Sequence, residues 1–261
     1  MLYREDILNG LEAFSVAVGK PVIVHTSLKA IGEIDGGGDV LLDCLIEFFT
    51  KKGGLLCIPT HTWDKVMLDL REKDTCLGVL PRLALNRSGA KRTMHPTHSM
   101  VVFGNRQRVL DFCKGEEKVD TPTSPSGCYG KIYSEGGYIL LLGIGQEKNT
   151  FIHCVEEMLG VPNRLTPQKQ DFAIIHKNGK RENRKLYWFD DSEIGDVSER
   201  FGKFEEAFKY HNAITYSKLG NAKVQLCSAQ KIKEVIELIY NRNGFSELLA
   251  DAQPLDEKLY K

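Results

Sequence analysis

Residues 21–63 read PVIVHTSLKAIGEIDGGGDVLLDCLIEFFTKKGGLLCIPTHTW, and the order of the pieces in this stretch decides the fold. PVIVHTSL is short and β-branched, which predicts a strand. DVLLDCLIEFFTKKGG places apolar residues on one helical face and ends in glycines, which predicts an amphipathic helix. LLCIPTHTW is strand-like again. A strand–helix–strand unit favours an α/β layered fold. Upstream, REDILNGLEAFSV spaces Ile7, Leu11 and Phe14 for a helix face. Downstream, GYILLLGIG reads as a fully buried strand and TFIHCVEEMLG as the helix after it. Beyond about residue 163 the chain changes character. DFAIIHKNGKRENRKLYWFD predicts two strands joined around Asn178-Gly179, a strong hairpin signal, and residues 198–211 and 229–241 predict helices. The expected architecture is α/β: a layered α/β/α arrangement around a central mixed sheet, with a C-terminal β-hairpin plus helices, in a single domain spanning 1–261.

The chain has 261 residues, 42% of them hydrophobic, enough to bury a sizeable core. Lys+Arg and Asp+Glu each count 35, so the formal net charge is zero and the overall balance recruits neither a nucleic acid nor a membrane surface. No apolar run reaches the ~18 residues of a membrane span, and MLYREDILNG is too charged for a secretory leader. Seven cysteines without a CxxC pair fit reduced thiols and a cytoplasmic protein.

Four stretches could carry chemistry. His25, Thr26 and Ser27, followed by three glycines at 36–38, place hydroxyls and unhindered N–H groups ahead of a helix, which suits phosphate oxygens. A surface loop without a ligand has the same composition. Neither GxGxxG nor GxxxxGK[ST] is present, which disfavours the Rossmann and P-loop readings. DTPTSPSGCYGKIY, 120–133, displays Thr123, Ser124 and Ser126 on a proline-restricted loop that is either a polar binding surface or purely structural. His61, Asp64, His95 and His98 form a possible zinc set for a metal-dependent hydrolase, with spacing that matches no established signature. In NTFIHCVEEM, 149–158, an N-cap at Asn149 or Thr150 puts His153 in the first turn, where the helix dipole disfavours positive charge on an imidazole. Glu156, three residues on, can accept from one ring nitrogen and leave the other as a base, with Glu157 as the fallback partner. A histidine and a glutamate on a solvated helix face would show the same spacing. Cys154 adjoins His153, but neighbouring helical positions point about 100° apart, so a Cys-His pair is poorly aligned.

Read together and in order, HTSLKAIGEIDGG, PTHTW, RTMHPTHSM, TPTSPSGCYGKI, YILLLGIGQEKNTFIHCVEE and, more loosely, VPNRL resemble the aminoglycoside 3-N-acetyltransferase (antibiotic N-acetyltransferase) family. The resemblance implies acetyl transfer from acetyl-CoA, as cosubstrate and without a metal, to an aminoglycoside amine. It places His25, Thr26, Ser27 and Leu28 along the CoA arm and pyrophosphate, with Thr123, Ser124 and Ser126 opposite. It makes His153 and Glu156 the catalytic pair and brings Asp64, His95, His98 and Glu157 near the acceptor. The basic run Lys177, Lys180, Arg181, Arg184 and Lys185 departs from what a polycationic acceptor would select, unless it is the solvated tip of the hairpin. A CoA-binding protein without acetyl transfer stays open beside the enzyme reading.

Overall fold

The computed structural model describes residues 1–190, 195–245 and 254–261. In chain order the elements are α1 (Arg4–Glu12), β1 (Pro21–Thr26), α2 (Leu28–Ile31), α3 (Gly37–Phe49), β2 (Leu55–Pro59), β3 (Met67–Asp69), α4 (Val79–Asn86), β4 (Lys91–Arg92), β5 (Met100–Phe103), α5 (Arg106–Cys113), α6 (Cys128–Ser134), β6 (Tyr138–Leu142), α7 (Phe151–Leu159), β7 (Gln170–Ile175), β8 (Arg181–Leu186), α8 (Glu205–Tyr210), β9 (Ile214–Leu219), β10 (Ala222–Ser228) and α9 (Ala229–Asn243). Seven strands make one sheet in the order β4-β5-β2-β1-β6-β10-β9. At its centre β1 runs parallel to both β2 and β6, while β5 and β10 join antiparallel, so the sheet is mixed as expected.

Alternation along the strands sends side chains to opposite faces. Val22 and Val24 of β1 pack with Leu41, Leu45 and Phe49 of α3, and Ile23 packs on the other face with Ile132 of α6 and Val155 of α7. The result is the expected α/β/α layering: α1, α3 and α4 on one face, α6, α7 and α9 on the other. Among the described residues no helix is long and apolar enough to cross a membrane. All seven cysteines are free thiols.

The hairpin at 170–186 forms, closed by His176 N–H to Lys180 O at 2.9 Å and with Gly179 at φ +82°. It belongs to a second sheet, β3-β7-β8, separate from the central one. Lys177, Lys180, Arg181 and Lys185 are exposed, as a solvated tip requires, whereas Arg184 turns inward and donates to Val119 O at 2.7 Å. The expected helix over 198–211 is a 3₁₀ run, Val197–Phe204, continuing into α8. A further hairpin, β9–β10, closes that edge of the central sheet.

Candidate active site

The carboxyl ends of β1 and β6 lie side by side, and the chain beyond each of them builds a cleft of about 450 Å³. Adjacent parallel strand ends are where α/β sheets commonly place ligands. The lining includes His25, His61, His98, His153, Trp188 and Phe189, with Glu147, Lys148 and Asp196 contributing charge.

One 3₁₀ turn, Gln146–Lys148, separates β6 from α7. Thr150 is the N-cap residue and makes no side-chain cap bond; the Asn149 amide donates to Gln146 Oε1 at 2.8 Å. His153 therefore sits in the first turn. Its Nδ1 is 3.1 Å from Glu156 Oε2, and the residues are 7% and 2% exposed, so this is no solvated helix face. Phe189 stacks on the imidazole with centroids 4.4 Å apart, and Phe201 meets it edge-on at 4.8 Å. With Nδ1–H donating to the carboxylate, Nε2 keeps the lone pair on a ring that lines the cleft.

Burial holds the other cleft histidines uncharged. It lowers His25 to about 4. His61 and His98, with ring centroids 4.5 Å apart, are pushed well below the ordinary imidazole range by burial first and by neighbouring imidazoles second. His61 Nε2 meets the Tyr129 hydroxyl at 2.9 Å.

His95 meets His98 edge-on, with ring centroids 6.0 Å apart, but its nitrogens are committed to the backbone. Its Nδ1 accepts from the backbone N–H groups of Thr97 and His98, at 3.2 and 2.9 Å, and its Nε2 contacts Thr121 O at 3.0 Å. Both nitrogens are spent on pinning a loop. Asp64 is exposed. His61, His95 and His98 thus meet through ring contacts while exposed Asp64 does not join them, and among the described residues no group of three or more His, Cys, Asp or Glu side chains could hold a metal ion.

Glu157 does not pair with His153 either. Its Oε1 accepts from Thr123 N–H and Oγ1, at 2.9 and 2.6 Å, and its Oε2 from Thr121 Oγ1 at 2.5 Å. Burial raises this carboxyl and those bonds oppose the rise, so Glu157 anchors the 121–126 loop to α7. Gly130 lets α6 approach the same loop, since a Cβ there would fall 1.7 Å from Pro125 O.

Of the residues expected along CoA, His25 lines the cleft. Ser27 caps α2, accepting from Ala30 N at 3.3 Å, and Leu28 is half-buried beside it. Ser124 and Ser126 join through their hydroxyls at 3.0 Å. Three buried polar atoms, His25 Nε2 and Thr26 Oγ1 at the end of β1 and Asn149 Oδ1 just before α7, have no partner among the described residues. Buried polar groups normally find partners, and these fit a ligand bearing amide or hydroxyl groups, as the CoA arm does. Cys154 is fully buried in the core, its thiol raised by burial.

A family profile described as aminoglycoside 3-N-acetyltransferase matches residues 23–240. The chain belongs to this family. Aminoglycoside 3-N-acetyltransferases are acyltransferases that use acetyl-CoA. A relative in Bacillus subtilis strain 168, the SPbeta prophage-derived aminoglycoside N(3')-acetyltransferase-like protein YokD, is 24% identical over 92% of this chain and 93% of its own. Aminoglycoside N(3)-acetyltransferase VII of Streptomyces paromomycinus is 26% identical over 79% of this chain and 77% of its own. Solved structures share the fold. AAC(3)-IVa in complex with a gentamicin superposes with a TM-score of 0.78 at 21% identity, covering 93% of this chain and 90% of that one. AAC-IIIb with CoASH superposes at 0.77 and 19% identity, covering 94% and 99%.

Sequence reasoning missed the Trp188–Phe189 wall, Phe201 and Arg164. The first two lie beyond the periodic part of their segment, so no pattern marked them. Arg164 carried a faint signal, a cation within the apolar VPNRL.

Proposed function

We propose that the chain transfers an acetyl group from acetyl-CoA to an aminoglycoside amine, the 3-amino group of the 2-deoxystreptamine ring, with His153 as general base and Glu156 as its orienting partner. The observation that carries this reading is the 3.1 Å contact from His153 Nδ1 to Glu156, on a ring that lines the cleft. Acetyl-CoA supplies the acetyl group already activated as a thioester. The acceptor amine is mostly protonated near neutral pH and cannot attack in that form, so His153 Nε2 removes a proton and Glu156 stabilises the resulting imidazolium. Phe189 and Phe201 hold the ring in place. Glu147 and Asp196 in the cleft lining offer carboxylates to a polycationic acceptor.

The gentamicin and CoASH complexes of AAC(3)-IVa and AAC-IIIb are of proteins with this fold, and they support the choice of both substrates. The orphaned polar atoms of His25, Thr26 and Asn149 support a CoA arm lying between the end of β1 and the start of α7, with the loops at 25–28 and 123–126 shaping its path. Unpaired cysteines suit the reducing cytoplasm.

The test is thiol release from acetyl-CoA across a panel of aminoglycosides and simpler amines. Release with aminoglycosides bearing a free 3-amine is expected. Turnover of another amine alone would confine the reading to acetyl transfer, and CoA binding with no thiol released by any amine would overturn it.

A further inference from the structure

Arg164 lies five residues beyond α7, where the chain has turned back through Gly160 and Asn163 at φ +66° and +56°. It is 3% exposed. Its Nη1 donates to Asn163 O at 3.3 Å, and its Nε stands 3.6 Å from Glu156 Oε2. That oxygen is the one that receives His153 Nδ1. Arg164 Nε and Nη2 and Glu156 Oε1 have no hydrogen-bond partner among the described residues. A buried guanidinium in an apolar site costs heavily unless a countercharge faces it. The Glu156 carboxylate, within 4.0 Å of the guanidinium, is that countercharge.

We propose that Arg164 is a positioning residue for the proton-accepting histidine: its guanidinium fixes the Glu156 carboxylate in the rotamer that meets His153 Nδ1 and balances its charge. The proposal rests on the reading of His153 as the base. One charge of each sign then surrounds the imidazole in a site closed by Phe189 and Phe201, and the lone pair on Nε2 stays available. The charged and titratable groups facing His153 are Glu156 and, through it, Arg164, then Glu157 on the next position of α7, His25, His61 and His98 across the cleft, and Glu147, Lys148 and Asp196 in its lining.

The experiment combines an NMR titration of the His153 ring with single-turnover rates in wild type, Arg164→Met, Arg164→Lys, Glu156→Gln and the double variant. In Arg164→Met an unbalanced carboxylate holds the proton on His153 more firmly, so the ring titrates at higher pH than in wild type, and acetyl transfer falls by about 10–100-fold. Arg164→Lys keeps the charge and returns the midpoint close to wild type. In the Glu156→Gln background the further change Arg164→Met slows transfer by less than about threefold, because Arg164 acts through Glu156. That pair removes both charges together and stays informative if Arg164→Met alone fails to fold. An unmoved or lowered His153 midpoint in Arg164→Met, or losses that simply multiply in the double variant, would overturn the proposal. The titration needs no turnover, so absence of acetyl transfer in wild type would count against the proposed function and not against this inference.

Discussion

The first turn of α7 buries His153 and the loop at 93–99 buries His95, and these two histidines do opposite things. His95 is 1% exposed and gives both nitrogens to backbone groups at 2.9–3.2 Å. His153 is 7% exposed, gives one nitrogen to a carboxylate and presents the other on a cleft. Burial alone therefore does not make a base. What separates them is whether the partners are neutral backbone groups that spend the ring or one anion that leaves a lone pair and can stabilise its protonated form.

The largest expected effect lies on the α7 side. His153→Ala should lower turnover by about 10²–10⁴-fold, the range usual for a positioned acid–base group, with a melting temperature near wild type. His95→Ala should do the reverse. It leaves two buried N–H groups and one carbonyl unpaired, at about 1–3 kcal/mol each before relaxation, so melting should drop by about 10 °C while turnover per folded molecule persists. Glu156→Gln should cost about 10–100-fold in turnover, because the imidazole remains but its orientation and charge stabilisation weaken. If Glu156→Gln proves worse than His153→Ala, the carboxylate and not the imidazole is the primary group.

A smaller effect sharpens the comparison through pH. Burial lowers both His25 and His95 to about 4 in the folded chain, against 6.5 for an ordinary histidine. Between pH 6.5 and 4 the unfolded chain binds protons that the folded chain refuses, so stability falls as pH falls through that window, by about 1.4 kcal/mol per pH unit for each such group. His61 and His98 are shifted in the same direction. Melting temperature followed from pH 7 to 4 should therefore decline, and His95→Ala should remove about one proton from the slope. An unchanged slope would contradict the assignment of His95 as a buried neutral ring.

Much of the fold was legible because local pattern and final environment agree. The β-branched run of β1, the amphipathic α3 and the apolar β6 each keep one periodicity throughout their length. Residues 214–228 were not legible: Lys218 of the edge strand β9 and its cross-strand partner Lys223 of β10 interrupt the apolar pattern, and both are exposed to solvent. At the site, His153 and Glu156 were readable because both belong to one helix and helical spacing fixes their distance. Glu157 was not, since its partners Thr121 and Thr123 are 36 and 34 residues away. The Trp188–Phe189 wall and Arg164 were hidden for the same reason: they reach His153 through tertiary packing, which no short-range pattern encodes.

The role of His153 as the base of an acetyl transfer can be tested in a single turnover. Its most direct test is single-turnover thiol release from acetyl-CoA with an aminoglycoside bearing a free 3-amine, comparing wild type, His153→Ala and His95→Ala at equal folded concentration. Wild type and His95→Ala should release thiol rapidly, and His153→Ala should lose at least about 10²-fold with CoA binding intact. A folded His153→Ala protein that releases thiol at the wild-type rate would contradict it.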